Sequence, residues 1–255
     1  MLAGLAAGTL MNAETATAKP ANTFLEIKTW RLHNSAEDQG ARVAAFLDQG
    51  LGPALSRSGA QLAGAFANVI APDGPYYVTI TQFASLAAMQ DVLEKLERDR
   101  AYQIALNRLS TGSGLPFVRV ESSLLRSFDV LPELAVPPRL EGGAARIFEL
   151  RTYESQSFTT LQRKVRMFNE AEAKIFERLA MRPVFFGETI VGPKQPNLMY
   201  MLSFDDLAAR DRLWREFGSD PEWAKLSARP ELKDPEIVAN ISNVILRPLA
   251  FSAVR

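Results

Sequence analysis

Apolar and polar positions trade places with two different periods along this chain, and the switches between periods mark the elements. From Ile147 to Tyr153 the alternation is strict. Phe148, Leu150 and Thr152 fall on one side and Glu149, Arg151 and Tyr153 on the other, as in a strand with two chemically distinct faces. Phe158, Leu161, Val165, Phe168, Ile175 and Leu179 then recur mostly at three- and four-residue steps, the apolar stripe of a long helix that ends at Arg182-Pro183. Val184–Val191 and Leu198–Phe204 are rich in β-branched, aromatic and apolar residues. The turn-forming run 192–197 (GPKQPN) joins them into a predicted hairpin. Asp205 or Asp206 can cap a second helix running through Trp214 and Phe217. Ile241–Leu246 reads as a closing strand, with Pro248 marking its end.

The first half follows the same plan. Phe24–Leu32 (FLEIKTWRL) is the first strand, with Glu26, Lys28 and Trp30 sharing a face. Ser35 and Asp38 resemble a capping box ahead of a helix whose stripe is Val43, Phe46, Leu47, Leu51 and Leu55. Strands over Asn68–Ala71 and Tyr77–Phe83 flank the turn 72–75 (PDGP), one helix spans Leu86–Leu109, and Val118–Phe128 is the last strand. Glu26, Lys28 and Trp30 answer to Glu149, Arg151 and Tyr153 at an offset of 123, while Leu124-Leu125-Arg126 answers to Ile245-Leu246-Arg247 at 121. Such small drift points to duplication of one module. The fold class predicted is α+β: two tandem ferredoxin-like βαββαβ domains over 23–130 and 145–255, joined by the proline-rich, aperiodic stretch 131–144. In this reading the apolar strand faces meet their own helices. The charged faces of the two halves then meet each other across a pseudo-twofold axis and close an intrachain dimeric α/β barrel.

Composition narrows the function classes. The 255 residues include 29 Lys plus Arg, 29 Asp plus Glu and no cysteine. The balanced charge argues against a nucleic-acid partner, and the missing cysteines exclude disulfides, thiolate catalysis and Cys-based zinc sites. Residues 1–18 carry an apolar run and end in Ala16-Thr17-Ala18, which predicts an export signal lacking its basic start, and hence a periplasmic or secreted protein. The run is too short to span a bilayer.

The second half resembles the NIPSNAP family of dimeric α/β-barrel proteins. The resemblance rests on Phe148–Glu154 (FELRTYE), Gly187-Glu188 with Gly192-Pro193, Met199–Trp214 (MYMLSFDDLAARDRLW) and Asp220-Pro221-Glu222-Trp223, and it covers most of Ile147–Phe251. The first half is similar to a diverged copy, with Glu97–Tyr102 standing where the second half has Gly218–Trp223. The resemblance implies paired ferredoxin-like units. Related barrel families include cofactor-free monooxygenases and haem enzymes.

The two strand triads are the candidate ligand-binding residues: Glu26, Lys28, Trp30, Glu149, Arg151 and Tyr153, lining the expected barrel interior. His33 is the only histidine, so a His-based metal cluster or triad is excluded. No cofactor is predicted, with haem ligation by His33 as the lesser alternative. Trp214 and Trp223 read as core or interface anchors, and Arg126 and Arg247 as matched structural arginines or an anion clamp. The function expected is binding of a small molecule or a protein partner through the barrel, with a cofactor-free or haem-dependent oxidoreductase as the alternative. Homo-oligomerisation is left open.

Overall fold

The computed structural model describes residues 21–33 and 37–255. The expected export segment, and Ser35 of the expected capping box, lie outside the described residues. Eight strands close into an antiparallel barrel in the order β1-β3-β2-β8-β5-β7-β6-β4. They are β1 (Phe24–Arg31), β2 (Gln61–Ile70), β3 (Tyr76–Phe83), β4 (Arg119–Ser127), β5 (Ile147–Glu154), β6 (Pro183–Val191), β7 (Asn197–Phe204) and β8 (Asn240–Pro248). Within each half the central strand, β1 or β5, pairs with two others from the same half. The halves are stitched by β2 to β8 and β4 to β6, two junctions that interchange under the pseudo-twofold relation. No strand edge is left open, which removes the usual route to edge-to-edge aggregation.

Helices cover the outside. In the first half α1 (Gln39–Phe46) runs through a π-helical turn (Leu47–Leu51) into α2 (Gly52–Ser58). In the second half α5 (Phe158–Met167), a π turn (Phe168–Glu172) and α6 (Ala173–Arg178) do the same, so the wide turn recurs at an offset of 121. Asp38 caps α1 by accepting from Ala41 N–H, and Gly59 ends α2 in the left-handed conformation at φ 96°. Ser157 caps α5 with a reciprocal bond to Thr160, and Asp206, not Asp205, caps α7 (Leu207–Gly218).

Three expectations about elements change. The helix expected over Leu86–Leu109 is two, α3 (Leu86–Arg98) and α4 (Arg100–Thr111), because Asp99 leaves the helical conformation and caps the second with its carboxylate on Tyr102 N–H. Asp220 does the same for α8 (Pro221–Ser227), at an offset of 121. Each is braced by an equivalent arginine: Arg57 on Asp99 at 2.7 Å and Arg178 on Asp220 at 2.9 Å. Phe158 is 66% exposed and does not belong to the α5 stripe. Finally, β2 begins at Gln61, where the small residues of QLAGAFA conceal the alternation.

The principal correction concerns the strand faces. The barrel interior is filled by Leu25, Ile27, Phe66, Val78, Ile80, Leu125, Phe148, Leu150, Phe185, Met201 and Leu246, drawn from both halves. Phe66 and Phe148 meet there with ring centroids 5.0 Å apart. Glycines make the room: a Cβ on Gly64 would stand 2.5 Å from the Phe66 ring, and one on Gly187 would stand 2.9 Å from Leu125. At the equivalent positions the sizes are exchanged, Gly64 for Phe185 and Phe66 for Gly187; Phe66 fills the space over Gly64, and Leu125 of the first half fills the space over Gly187 of the second. Glu26, Lys28, Trp30, Glu149, Arg151 and Tyr153 therefore do not line the interior. They point outward, under the helices. The middle of the lumen is packed with apolar side chains, whereas helices lying across the outer face bring donors to the charged groups.

The stretch between the halves is not a free tether. The Pro132 carbonyl accepts from Thr23 and Ser127, Leu134 N–H donates to Gln82 and Ala135 N–H donates to Val184. It is thus bonded to both halves of the barrel.

Candidate functional site

The outer face of β5 carries a buried charged seam. Glu149, 0% exposed, accepts hydrogen bonds from Arg151 (2.9 Å), Arg210 Nε and Nη2 (2.9 and 2.7 Å), Trp214 Nε1 (2.7 Å) and Asn243 Nδ2 (2.8 Å). Burial alone would raise its carboxyl. The Arg210 bonds, the Arg151 charge and the Asn243 and Trp214 donors outweigh it and hold Glu149 below the usual carboxylate range. With its oxygens occupied, Glu149 orients Arg151 and is not free to act as a base. The Arg151 guanidinium lies 4.5 Å from the Trp214 ring centroid and donates to the Tyr153 hydroxyl at 3.2 Å. Its Nε is buried without a hydrogen-bond acceptor. Tyr200 OH donates to Tyr153 OH at 2.8 Å, and burial pushes both phenols above their ordinary pKa, Tyr200 the further.

Beyond Tyr153 the seam continues into α5 and its π turn. Lys164, 1% exposed, lies 3.0 Å from the Glu172 carboxylate, itself 2% exposed. That contact is a charge pair poorly aligned for a hydrogen bond. Lys164 Nζ also meets Met167 Sδ at 3.7 Å, and lies 5.3 Å from the ring centroid of Phe168 and 5.5 Å from those of Tyr153 and Trp223. Burial raises the Glu172 carboxyl, with Lys164 opposing; burial also works against the Lys164 charge, which Glu172 and Tyr153 restore. The seam is closed from solvent by α8, the turn Pro230–Leu232 and α9 (Asp234–Ile237), whose Leu226, Leu232 and Ile237 pack on Met167 beside Trp223.

The duplication supplies an internal comparison. In the first half Lys28 pairs with Glu26 at 2.9 Å, and Ser122 donates to Glu26 at 3.1 Å, in place of Arg151 and Asn243 on Glu149. Trp30 donates to Thr79 at 3.1 Å where Tyr200 donates to Tyr153. This part of the constellation is common to both halves. The rest is not. Arg210 and Trp214 correspond to Met89 and Leu93, and Lys164 and Glu172 to Val43 and Leu51, both buried in the apolar cluster of the first half. The strand alternation makes the shared triads visible. Lys164, Glu172, Arg210 and Tyr200 escape it, although charged residues within the α5 stripe were a signal available from that comparison.

Of the remaining candidates, His33 is exposed at the end of β1, its backbone N–H on Gln39. Arg126 pairs with Glu188 across the β4–β6 junction at 2.8 Å. Arg247 is exposed, with Ala67 opposite it in the β2–β8 ladder. They form no joint clamp. Among the described residues no group of His, Asp and Glu is placed to hold a metal ion, and no helix is long and apolar enough to cross a membrane.

Residues 148–253, which contain this seam, match the sequence model of the NIPSNAP family. The second half is a NIPSNAP domain. No curated protein matches the chain. Among solved structures, a protein provisionally assigned as a monooxygenase from Fusobacterium nucleatum aligns over 90% of this chain and 93% of its own, with TM-score 0.57 and 9% identity. Another so assigned, from Lactobacillus acidophilus, aligns over 89% and 94%, with TM-score 0.56 and 9% identity. At this identity the likeness is one of fold, and it spans both halves. An uncharacterized NIPSNAP-like domain protein from Burkholderia xenovorans covers 42% of this chain and 88% of its own, at 22% identity and TM-score 0.38. The biochemical activity of the NIPSNAP domain is unassigned.

Proposed function

We propose that the chain is a pair of ferredoxin-like units, 23–130 and 145–255, joined by 131–144, and that the NIPSNAP unit binds a small molecule in the seam between its sheet and its helices. The observation that carries this reading is the Lys164–Glu172 pair, buried where the first unit has Val43 and Leu51. A buried ion pair contributes little net stability over well-packed apolar residues of similar volume. The same fold, in the same molecule, supports that argument by building this position from hydrocarbon. A charge pair kept there despite its desolvation fits a ligand-binding role, as do the unpartnered Arg151 Nε and the paired phenols beside it.

The test is untargeted mass spectrometry of small molecules co-purifying with the wild type and with Lys164→Met/Glu172→Leu. The reading expects a compound held by the wild type and absent from a folded double variant. Identical profiles would contradict it. The fold shared with proteins assigned as monooxygenases favours one further reading, cofactor-free oxidation of the bound molecule in the same seam. Oxygen uptake with hydroquinone that disappears in the double variant is its expected signature, and no uptake with either protein would remove it.

A further inference from the structure

The surface above the seam carries a feature that is also repeated. A cleft of about 210 Å³ lies against the second π turn, lined by Arg163, Arg166, Met167, Leu226, Arg229 and Leu232 among others. Its counterpart in the first half, about 200 Å³, is lined by Arg42, Ala45, Phe46, Ala105, Arg108 and Leu109. At the offset of 121, Arg42 becomes Arg163, Phe46 becomes Met167, Ala105 becomes Leu226 and Arg108 becomes Arg229. Two clefts with arginines on the rim and apolar floors thus recur in the two halves.

They are not equally available. In the first cleft Arg42 donates to the carbonyls of Ser113 and Leu109, tying down the end of α4. In the second, Arg229 pairs with Glu231 at 2.7 Å, while Arg163 and Arg166 donate no hydrogen bond among the described residues. Arg166 stands where the first cleft has Ala45, which adds a cation, and Glu170 stands where it has Gln49, which adds an anion at the rim. The floor differs as well. Met167 forms it, and the Met167 sulfur touches the Lys164 ammonium at 3.7 Å, so one flexible side chain separates the cleft from the buried pair.

We propose that this cleft is the entrance and anion subsite of the NIPSNAP unit, taking a small carboxylate with a single apolar ring. Arg163 and Arg166 hold the carboxylate, Leu226, Leu232 and Met167 contact the ring, and Met167 swings aside to admit the ligand toward Lys164. This inference rests on the seam reading above. The dimensions fit one ring and a carboxylate, since an apolar cavity of roughly 150 Å³ holds benzene. Planar guanidinium groups suit a carboxylate in two-point contact.

Benzoate and its neutral isostere benzamide are the probes, titrated into the full chain and followed by calorimetry and by the emission of Trp214 and Trp223. The proposal expects one benzoate per chain, bound about tenfold or more tighter than benzamide, with a comparable loss in Arg163→Gln/Arg166→Gln. Leu226→Trp, which fills the cleft without removing charge, should block benzoate as well. Equal binding of benzoate and benzamide, no saturable binding of either, or benzoate binding untouched by both variants would overturn it. Lys164→Met/Glu172→Leu separates the two readings. Benzoate lost there but retained in the arginine and Leu226 variants overturns the entrance and leaves the seam. Benzoate retained there but lost in the arginine variant leaves an anion cleft and removes the seam as its destination.

Discussion

Glu149 shows how a carboxylate in a strand can be wholly ionised and still be committed. Five donors from Arg151, Arg210, Trp214 and Asn243 surround it, so removing its charge leaves two arginines facing an uncharged partner. Glu149→Gln should therefore cost about 3–5 kcal/mol in denaturant unfolding at neutral pH. The sign of the pH dependence follows from its lowered pKa. The stabilisation is present above the unfolded-state value of about 4.3 and is lost as pH falls through the lower folded value. The gap between wild type and Glu149→Gln should narrow below about pH 4, and a gap that stays constant would contradict this electrostatic account. In the barrel interior the relevant quantity is volume. Phe66→Ala removes a ring that Gly64 makes room for and that packs on Phe148, and should cost about 3–5 kcal/mol by the same measurement.

At the scale of elements, the sequence disclosed what had a strong local cause. The alternation of β5, the GPKQPN hairpin and the Pro221 start of α8 were all legible. The break at Asp99 was not, because Arg-Asp-Arg contains neither glycine nor proline, and only the cap geometry reveals it. The two faces of β1 and β5 were legible, but not which one met the helices. Periodicity reports that two faces differ; their direction is decided by neighbours distant in sequence. Phe148 and Leu150 pack among the apolar side chains of the lumen, while Glu149 depends on Arg210 and Trp214, 61 and 65 positions along the chain. The cover over the seam is built from short helices with few buried residues. Amide exchange in Pro221–Ile237 should consequently be faster than in β5, and Trp223→Ala should make Lys164 reactive to reductive methylation while the wild type stays protected. Equal protection of the two segments would argue against an opening cover.

For the whole molecule, duplication was the most legible feature and also the one whose meaning changed most. It correctly placed the halves in one closed barrel, yet the interior they share is an apolar core, with the charged triads outside it. Each half alone would expose the edges of two strands. A fragment of residues 145–255 should therefore dimerise through β6 and β8, which lose β4 and β2 as partners. Light scattering that returns a stable folded monomer would contradict that expectation. The value of the duplication lies in the differences it exposes: one half is apolar at the positions where the other buries Lys164 and Glu172. The central claim is that these charges serve a ligand and not the fold. Equilibrium unfolding of Lys164→Met/Glu172→Leu against wild type tests it most directly. The account predicts a double variant as stable as wild type or more so, by up to about 4 kcal/mol, while either single change is strongly destabilising. A double variant several kcal/mol less stable than wild type would contradict it.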